Sequence, residues 1–336
     1  MKAWLLPSTD GPDSYILGDI PEPEPGPGEV VVGLEVSGLN HLDLWVSRGL
    51  PAPKQMPHVG GADGAGVVAA VGEGVYGFAV GDEVIIDPSL SCGRCRECVT
   101  GQNVYCDSFQ ILGEHVPGTL TERIAVPARS LVRKPEAMTW EVAGSFGMAT
   151  GTALRMLERA RLREGETVLV VGVGGGVSSA AMHLAVGLRA NVYVTSRSPS
   201  KIESALGAGA VAGFDSEGDF GSEMAAAGGA DVVVDNVGPA TFRQSIKAAR
   251  KGGRIAVCGA TSGPKLELTV PHLFFRQVEI IGSSMASRSQ FARATHLVGS
   301  GQARSPVDRV FDFDELPSAL ALLDAGDQMG KLAIRH

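Results

Sequence analysis

The sequence predicts an α/β chain of two domains, one a β-rich, partly open barrel and the other a doubly wound parallel sheet. Three observations point there. Short β-like runs broken by Gly and Pro fill the chain to about residue 150, and continuous apolar strands alternating with helical spacing follow. The length, 336 residues, exceeds what one hydrophobic core usually serves.

In the first part, residues 29–36, 66–72 and 82–86 read as strands, and the Pro-rich stretch 21–28 reads as an ordered connector. In the second, the apolar strand 167–171 runs into Gly172-Val173-Gly174-Gly175-Gly176, and helical spacing continues through Ala185. A strand at 191–195, a helix carrying Lys201, a strand at 231–235, a helix from Pro239, and strands at 254–257 and 278–282 come next. Unbroken apolar strands between helices indicate a parallel sheet covered on both faces. From about residue 285 a helix, a short strand and another helix return to the first domain. The expected division is therefore 1–149 with 285–336, and 150–284.

Composition narrows the function classes. With 44% hydrophobic and 20% charged residues the chain reads as a soluble globular protein. Its formal net charge of −8, with no long basic stripe, speaks against nucleic acid as a main partner. The start has too short an apolar run for a signal peptide, and no stretch approaches a spanning helix, so a cytoplasmic protein with no membrane partner is expected.

Cys92, Cys95, Cys98 and Cys106 give the spacing C-x2-C-x2-C-x7-C. Four thiolates close a tetrahedral shell around Zn²⁺ and leave no position for water or substrate, so this metal is structural and staples a lobe at about residues 90–108. Two disulfides are the alternative, disfavoured where thiols stay reduced. Cys258, in an apolar run, reads as a buried strand residue.

A strand leading through a glycine loop to a helix is a phosphate cradle: small residues admit pyrophosphate, and the helix N-terminus favours its charge. Gly172, Gly174, Gly175, Gly176 and Val177 are the candidates, although the G-x-G-x-x-G pattern is imperfect. At the end of the second strand stand Ser196 and Arg197, with Lys201 one turn on, where an acidic residue would accept from a ribose 2′-hydroxyl. Hydroxyls and cations there suit a 2′-phosphate, so NADPH is favoured over NADH. Asn236, Gly259 and Ser283, which follow the later strands, join the cofactor-binding candidates.

These pieces in this order resemble the medium-chain dehydrogenase/reductase superfamily over essentially the full length, and most of all its zinc-containing, quinone-oxidoreductase-like branch. The segments 37–45, 60–66 and 151–154 and the four-cysteine lobe carry the likeness. The resemblance implies a GroES-like catalytic domain, a Rossmann domain, and a homodimer or homotetramer joined through edge strands near residues 279–281. It also implies His41 near the cofactor phosphates, Thr152 beside the nicotinamide, and His115 at the border of the cleft.

Alcohol dehydrogenases of the superfamily hold a second, catalytic zinc through a Cys, a Gly-His-Glu motif and a later Cys. Here those positions read Asn40, Gly61-Ala62-Asp63 and, near the third, Met148. An amide, a methyl and a thioether do not make a Zn²⁺ site. The proton-relaying hydroxyl falls at Leu42. Without a Lewis acid, conjugated acceptors are the easier targets, because the charge left by hydride spreads to a remote oxygen that ordinary donors stabilise. The expected activity is thus NADPH-dependent reduction of a quinone or an α,β-unsaturated carbonyl. Asn40, Asp43, Thr152 and His115 are the catalytic candidates, with Asp43 expected to orient its loop and His115 as the titrating acid. Zinc-independent carbonyl reduction, and a non-catalytic NADPH-binding sensor or scaffold, are the alternatives.

Overall fold

The computed structural model describes residues 1–336, which form two compact units. One comprises Met1–Gly151, Ala286–Gly299 and Pro306–His336; the other comprises Thr152–Met285 and Ser300–Ser305. No helix is long and apolar enough to cross a membrane.

The first unit contains β1 (Lys2–Leu6), β2 (Ile16–Asp19), β3 (Glu29–Leu39), α1 (His41–Ser47), β4 (His58–Val59), β5 (Asp63–Val71), β6 (Glu83–Ile86) and β7 (Ser89–Leu90). It continues with α2 (Arg96–Val99), β8 (Gln110–Ile111), β9 (Arg123–Pro127), β10 (Leu131–Arg133), α3 (Trp140–Ser145) and the start of α4 (Gly147–Arg159). The main sheet runs β10-β6-β5-β3, and β9 also pairs with β3. Its valine-rich strands suit a pleated surface with one buried face. Val30, Val32, Val68, Val84, Ile86 and Val126 pack together inside it.

The second unit is a six-stranded, wholly parallel sheet. Its elements are β11 (Thr167–Val170), α5 (Gly176–Gly187), β12 (Asn191–Ser196), α6 (Pro199–Gly207), β13 (Ala212–Asp215) and α7 (Phe220–Ala226). Then come β14 (Ala230–Asp235), α8 (Pro239–Ala248), β15 (Ala249–Val257), α9 (Val270–Arg276) and β16 (Glu279–Gly282). The strand order β13-β12-β11-β14-β15-β16 reverses direction between β11 and β14, the place where such sheets open a crevice at their carboxyl ends. Cys258 lies just past β15 and is half-buried, so it is not the strand residue its apolar run suggests.

The chain then returns to the first unit through α10 (Arg288–Gly299), β17 (Val307–Asp312), α11 (Leu316–Ala325) and β18 (Lys331–Arg335). Strand β18 lies between β3 and β17 and pairs Leu332 with Leu39. This strand is absent from the sequence reading, and it brings a functional candidate with it.

Candidate active site and cofactor cradle

Asn40 caps α1, and Asp43, three residues on, reaches back to the Asn40 N–H at 2.8 Å. The other Asp43 oxygen accepts from Gly61 N–H at 2.9 Å. Both oxygens are thus spent on backbone, tying the α1 entry to the loop before β5, and the group is 1% exposed. Burial pushes its carboxyl up to about 6, against the pull of those N–H groups and of Lys331.

Asp63 is the hub of the cluster. Its Oδ1 accepts from Met148 N–H at 2.6 Å, and its Oδ2 accepts from Asn40 Nδ2 at 3.0 Å and Lys331 Nζ at 3.2 Å. Lys331 also donates to Leu39 O at 2.6 Å and Asn40 Oδ1 at 2.5 Å. An ammonium has three protons, and here each has an acceptor. The Asn40 amide is likewise engaged at both ends, so it braces this cluster and its donors are not left over for a substrate oxygen. Side-chain exposures of 4% for Lys331 and 1% for Asp63 make this a buried ion pair.

Asp87, one residue past β6, is 2% exposed and accepts from Ser89 N–H at 2.9 Å. The register pairs Gly64 with Ile86, so one step further Asp63 and Asp87 stand opposite each other across β5 and β6. Burial pushes Asp87 up to about 7, with Asp63 adding to the rise. His41 opens α1 beside Trp45, and burial followed by the Lys331 charge holds its imidazole below the usual range.

His115 sits in the tight loop after β8. Ile111 N–H donates to its Nδ1 at 3.1 Å, and Glu114 Oε1 lies 3.6 Å from its Nε2. Neither Lys331 nor Glu114 is singled out in the sequence. The only local signal for Lys331 is a lone cation opening the apolar run Leu332-Ala333-Ile334.

The four cysteines converge in the same unit, with their sulfurs all within 4.8 Å of one another. Sulfur–sulfur edges of 3.9 Å (Cys92–Cys98) and 3.5 Å (Cys95–Cys98) bracket the ~3.8 Å edge of a tetrahedron with 2.3 Å Zn–S bonds. All four are free thiols, so the disulfide alternative is not realised. The N–H groups of Arg94 and Cys95 hold the Cys92 thiol down at about 6, which favours the ligand form. The residues fit a structural Zn²⁺.

In the second unit the loop after β11 is braced on both sides. Gly172 N–H donates to Thr195 Oγ1 at 3.0 Å, Val173 N–H to Thr195 O at 2.8 Å, and Ser178 Oγ to Gly172 O at 2.8 Å. Gly174 has φ of 132°, and a Cβ there would lie 2.8 Å from Lys201 Cδ, so glycine is required. Lys201 therefore lies against the loop that opens α5. Ser196 is buried just before the exposed Arg197 at the end of β12. Asn236 Oδ1, Ser283 Oγ and Ser179 Oγ are buried without a hydrogen-bond partner. Asn236 and Ser283 follow the carboxyl ends of β14 and β16, and Ser179 lies in the first turn of α5. Such orphaned atoms at strand ends fit a polar cofactor that would satisfy them. Gly259 follows β15 with φ of 87°. Val177 is the second residue of α5, and Thr152 is buried in the second turn of α4.

A barrel with a four-cysteine lobe, together with a six-stranded parallel sheet carrying a glycine loop, defines a two-domain oxidoreductase. Residues 26–136 match the alcohol dehydrogenase GroES-like domain family, and residues 176–300 match the zinc-binding dehydrogenase family. The acryloyl-coenzyme A reductase of Metallosphaera sedula is 32% identical over 321 residues, covering 95% of this chain and 96% of that protein. An alcohol dehydrogenase of Schizosaccharomyces pombe is 30% identical over 331 residues, covering 96% and 94%. A crystal structure of an NAD-dependent alcohol dehydrogenase superposes with a TM-score of 0.97 at 40% identity, over 100% of both chains. The chain belongs to the medium-chain dehydrogenase/reductase superfamily of oxidoreductases.

Proposed function

We propose that this chain is an NADPH-dependent reductase that adds hydride to a C=C bond conjugated to a carbonyl, in an enone, an enoyl thioester or a quinone, with no metal at the reacting centre. The Asn40–Asp63–Lys331 cluster carries this reading. Where alcohol dehydrogenases of the superfamily bring thiolates and an imidazole, this chain brings an amide, a methyl and a thioether, and a buried ammonium bonds to the same oxygens. A dication finds no thiolate or imidazole there, the one carboxylate of the cluster is already engaged by Asn40, Met148 and Lys331, and the ion meets a like charge.

Bound NADPH would supply the hydride. Gly172, Gly174, Gly175, Gly176 and Val177 would cradle its pyrophosphate, and Ser196, Arg197 and Lys201 would hold the 2′-phosphate. His41 is assigned to the cofactor phosphates. Asn236, Gly259 and Ser283 are assigned to the rest of the cofactor, with Thr152 at its nicotinamide end. Asn40 and Asp43 keep the entry of α1 and the loop before β5 rigid.

Relatives support the substrate class. Two proteins named acryloyl-coenzyme A reductase match at 32% and 28% identity, and a crotonyl-CoA carboxylase/reductase matches at 29%. The cysteine lobe requires reduced thiols, which suits the cytoplasm. Strand β16 is an exposed sheet edge with Ile280 38% accessible, which favours pairing with a second copy.

The test is NADPH oxidation against a panel of enoyl thioesters, enones, quinones and saturated aldehydes, with product analysis and metal content per chain. Saturated products of conjugated substrates and one zinc per chain are expected. Preferential aldehyde reduction would replace this reading with the zinc-independent carbonyl reductase. A second bound zinc would restore the alcohol dehydrogenase activity named for the S. pombe relative.

A further inference from the structure

The loop between β8 and β9 is mounted directly on the segment that leads to Asp63. Gly118 N–H donates to Val59 O at 2.8 Å, Thr119 N–H to Gly61 O at 2.9 Å and Leu120 N–H to Gly60 O at 3.0 Å. His58 Nε2 meets Gly113 O at 3.0 Å. A Cβ on Gly113 would fall 2.5 Å from Gly61 O, and one on Gly118 would fall 1.9 Å from it, so the two backbones are in direct contact. Asp43 in turn holds Gly61. His115 therefore stands in a loop rigidly mounted on the segment that leads to Asp63, with its side chain one-third exposed.

The His115 ring is locked by its own turn. Its backbone N–H donates to Ile111 O at 3.0 Å, and Ile111 N–H donates back to Nδ1 at 3.1 Å. A backbone N–H can only donate, so Nδ1 must offer its lone pair. The ring is then neutral and its proton sits on Nε2. The nearest carboxylate oxygen to Nε2, Glu114 Oε1, lies 3.6 Å away, beyond hydrogen-bond range. An imidazolium would put a second N–H on Nδ1, facing that of Ile111 donor to donor.

We propose that His115 is a fixed neutral hydrogen-bond donor to the anionic oxygen formed during reduction, and that it is not the proton source. It gives His115 a different role from the titrating acid expected from the sequence, and it rests on the reading of the chain as a reductase of conjugated carbonyls. Hydride from NADPH forms the new C–H bond at the β-carbon, the C=C π pair moves toward the carbonyl oxygen, and the cofactor leaves as NADP⁺. Nε2–H bonds to that oxygen and keeps its proton. Water then protonates the α-carbon and the buffer takes up the hydroxide. Burial raises the Glu114 carboxyl above its ordinary range.

Two measurements test this. In ¹⁵N-histidine NMR of the zinc-loaded protein, assigned by loss of one signal set in H115Q, Nδ1 should show the unprotonated acceptor shift and Nε2 the protonated one. In kinetics with an enoyl thioester or enone, H115A should lose about 10²–10³-fold in kcat, the effect of deleting one oxyanion donor, with little change in KM. H115Q should recover most of the loss, because its amide N–H reaches the Nε2 position but cannot titrate. One zinc per chain in each variant would verify that the lobe is folded. A protonated Nδ1, or an H115Q as slow as H115A, overturns the proposal. A wild-type protein that reduces no conjugated carbonyl overturns the proposed function instead, and the spectrum decides the tautomer separately.

Discussion

Removing the Asp63 carboxylate is the most informative perturbation of the cluster. In Asp63→Ala, Met148 N–H, Asn40 Nδ2 and Lys331 Nζ all lose an acceptor, and an ammonium with 4% exposure is left without its counter-charge. Breaking one side of a buried ion pair costs about 3–5 kcal/mol. At roughly 2–4 °C per kcal/mol for a unit of this size, the melting temperature should fall by ~6–20 °C. Lys331→Met alone should also destabilise, because Asp63 then remains buried with only two N–H donors. The double variant removes both charges, so its loss should be smaller than the sum of the single losses by about 2 kcal/mol or more. Tryptophan fluorescence is the assay of choice, since Trp4, Trp45 and Trp140 all lie in the first unit and report its unfolding alone. Strict additivity of the two substitutions, or a drop below ~2 °C for Asp63→Ala, would show that the pair is not coupled and that the cluster has been misread.

The folded pKa of Asp87, about 7, lies above its reference value of 3.8, so the native state holds this proton more tightly. The cost of burying the ionised group is absent below about pH 4, grows as pH rises and is complete above about 7, with a ceiling of ~4 kcal/mol. Thermal melts should show Asp87→Asn more stable than the parent at pH 8 and no more stable at pH 4.5. Stripping zinc with a strong chelator should open the lobe, raising thiol reactivity at Cys92, Cys95, Cys98 and Cys106 and directing limited proteolysis there; unchanged cleavage would argue against a metal staple. Arg197→Asp should shift the kcat/KM preference from NADPH toward NADH by about 10–100-fold, the worth of one charge-assisted contact, and an unmoved ratio would remove Arg197 from the 2′-phosphate site.

Much of the architecture was legible in the chain because its signals are local. Unbroken apolar runs such as Val168–Val170 mark the parallel strands, and the cysteine spacing needs only a short lobe to bring four sulfurs together. The glycine loop announces itself by its neighbours. Features that depend on register were not legible. Lys331 meets Asp63 across 268 residues, and its one local sign, a cation opening an apolar run, does not tell a buried ammonium from an exposed one. The opposition of Asp63 and Asp87 exists only once β5 and β6 are paired. Asn40 was expected to be an available donor, but its Nδ2 donates to Asp63 Oδ2 and its Oδ1 accepts from Lys331 of β18. The His115 tautomer follows from one turn geometry and has no counterpart in residue type.

The long return of the chain has a consequence for how the protein is made. On the ribosome, residues as far as Asp63 emerge 268 positions before Lys331, which at 5–20 residues per second is a wait of roughly 13–54 s. Throughout it, the half of β3 from Val36 to Leu39 lacks the β18 partner that later covers it, and a nascent carboxylate cluster lacks its cation. The parallel sheet can form in the interval. The barrel cannot finish, and its open edge is the stretch that a chaperone, or a neighbouring nascent chain, would meet first.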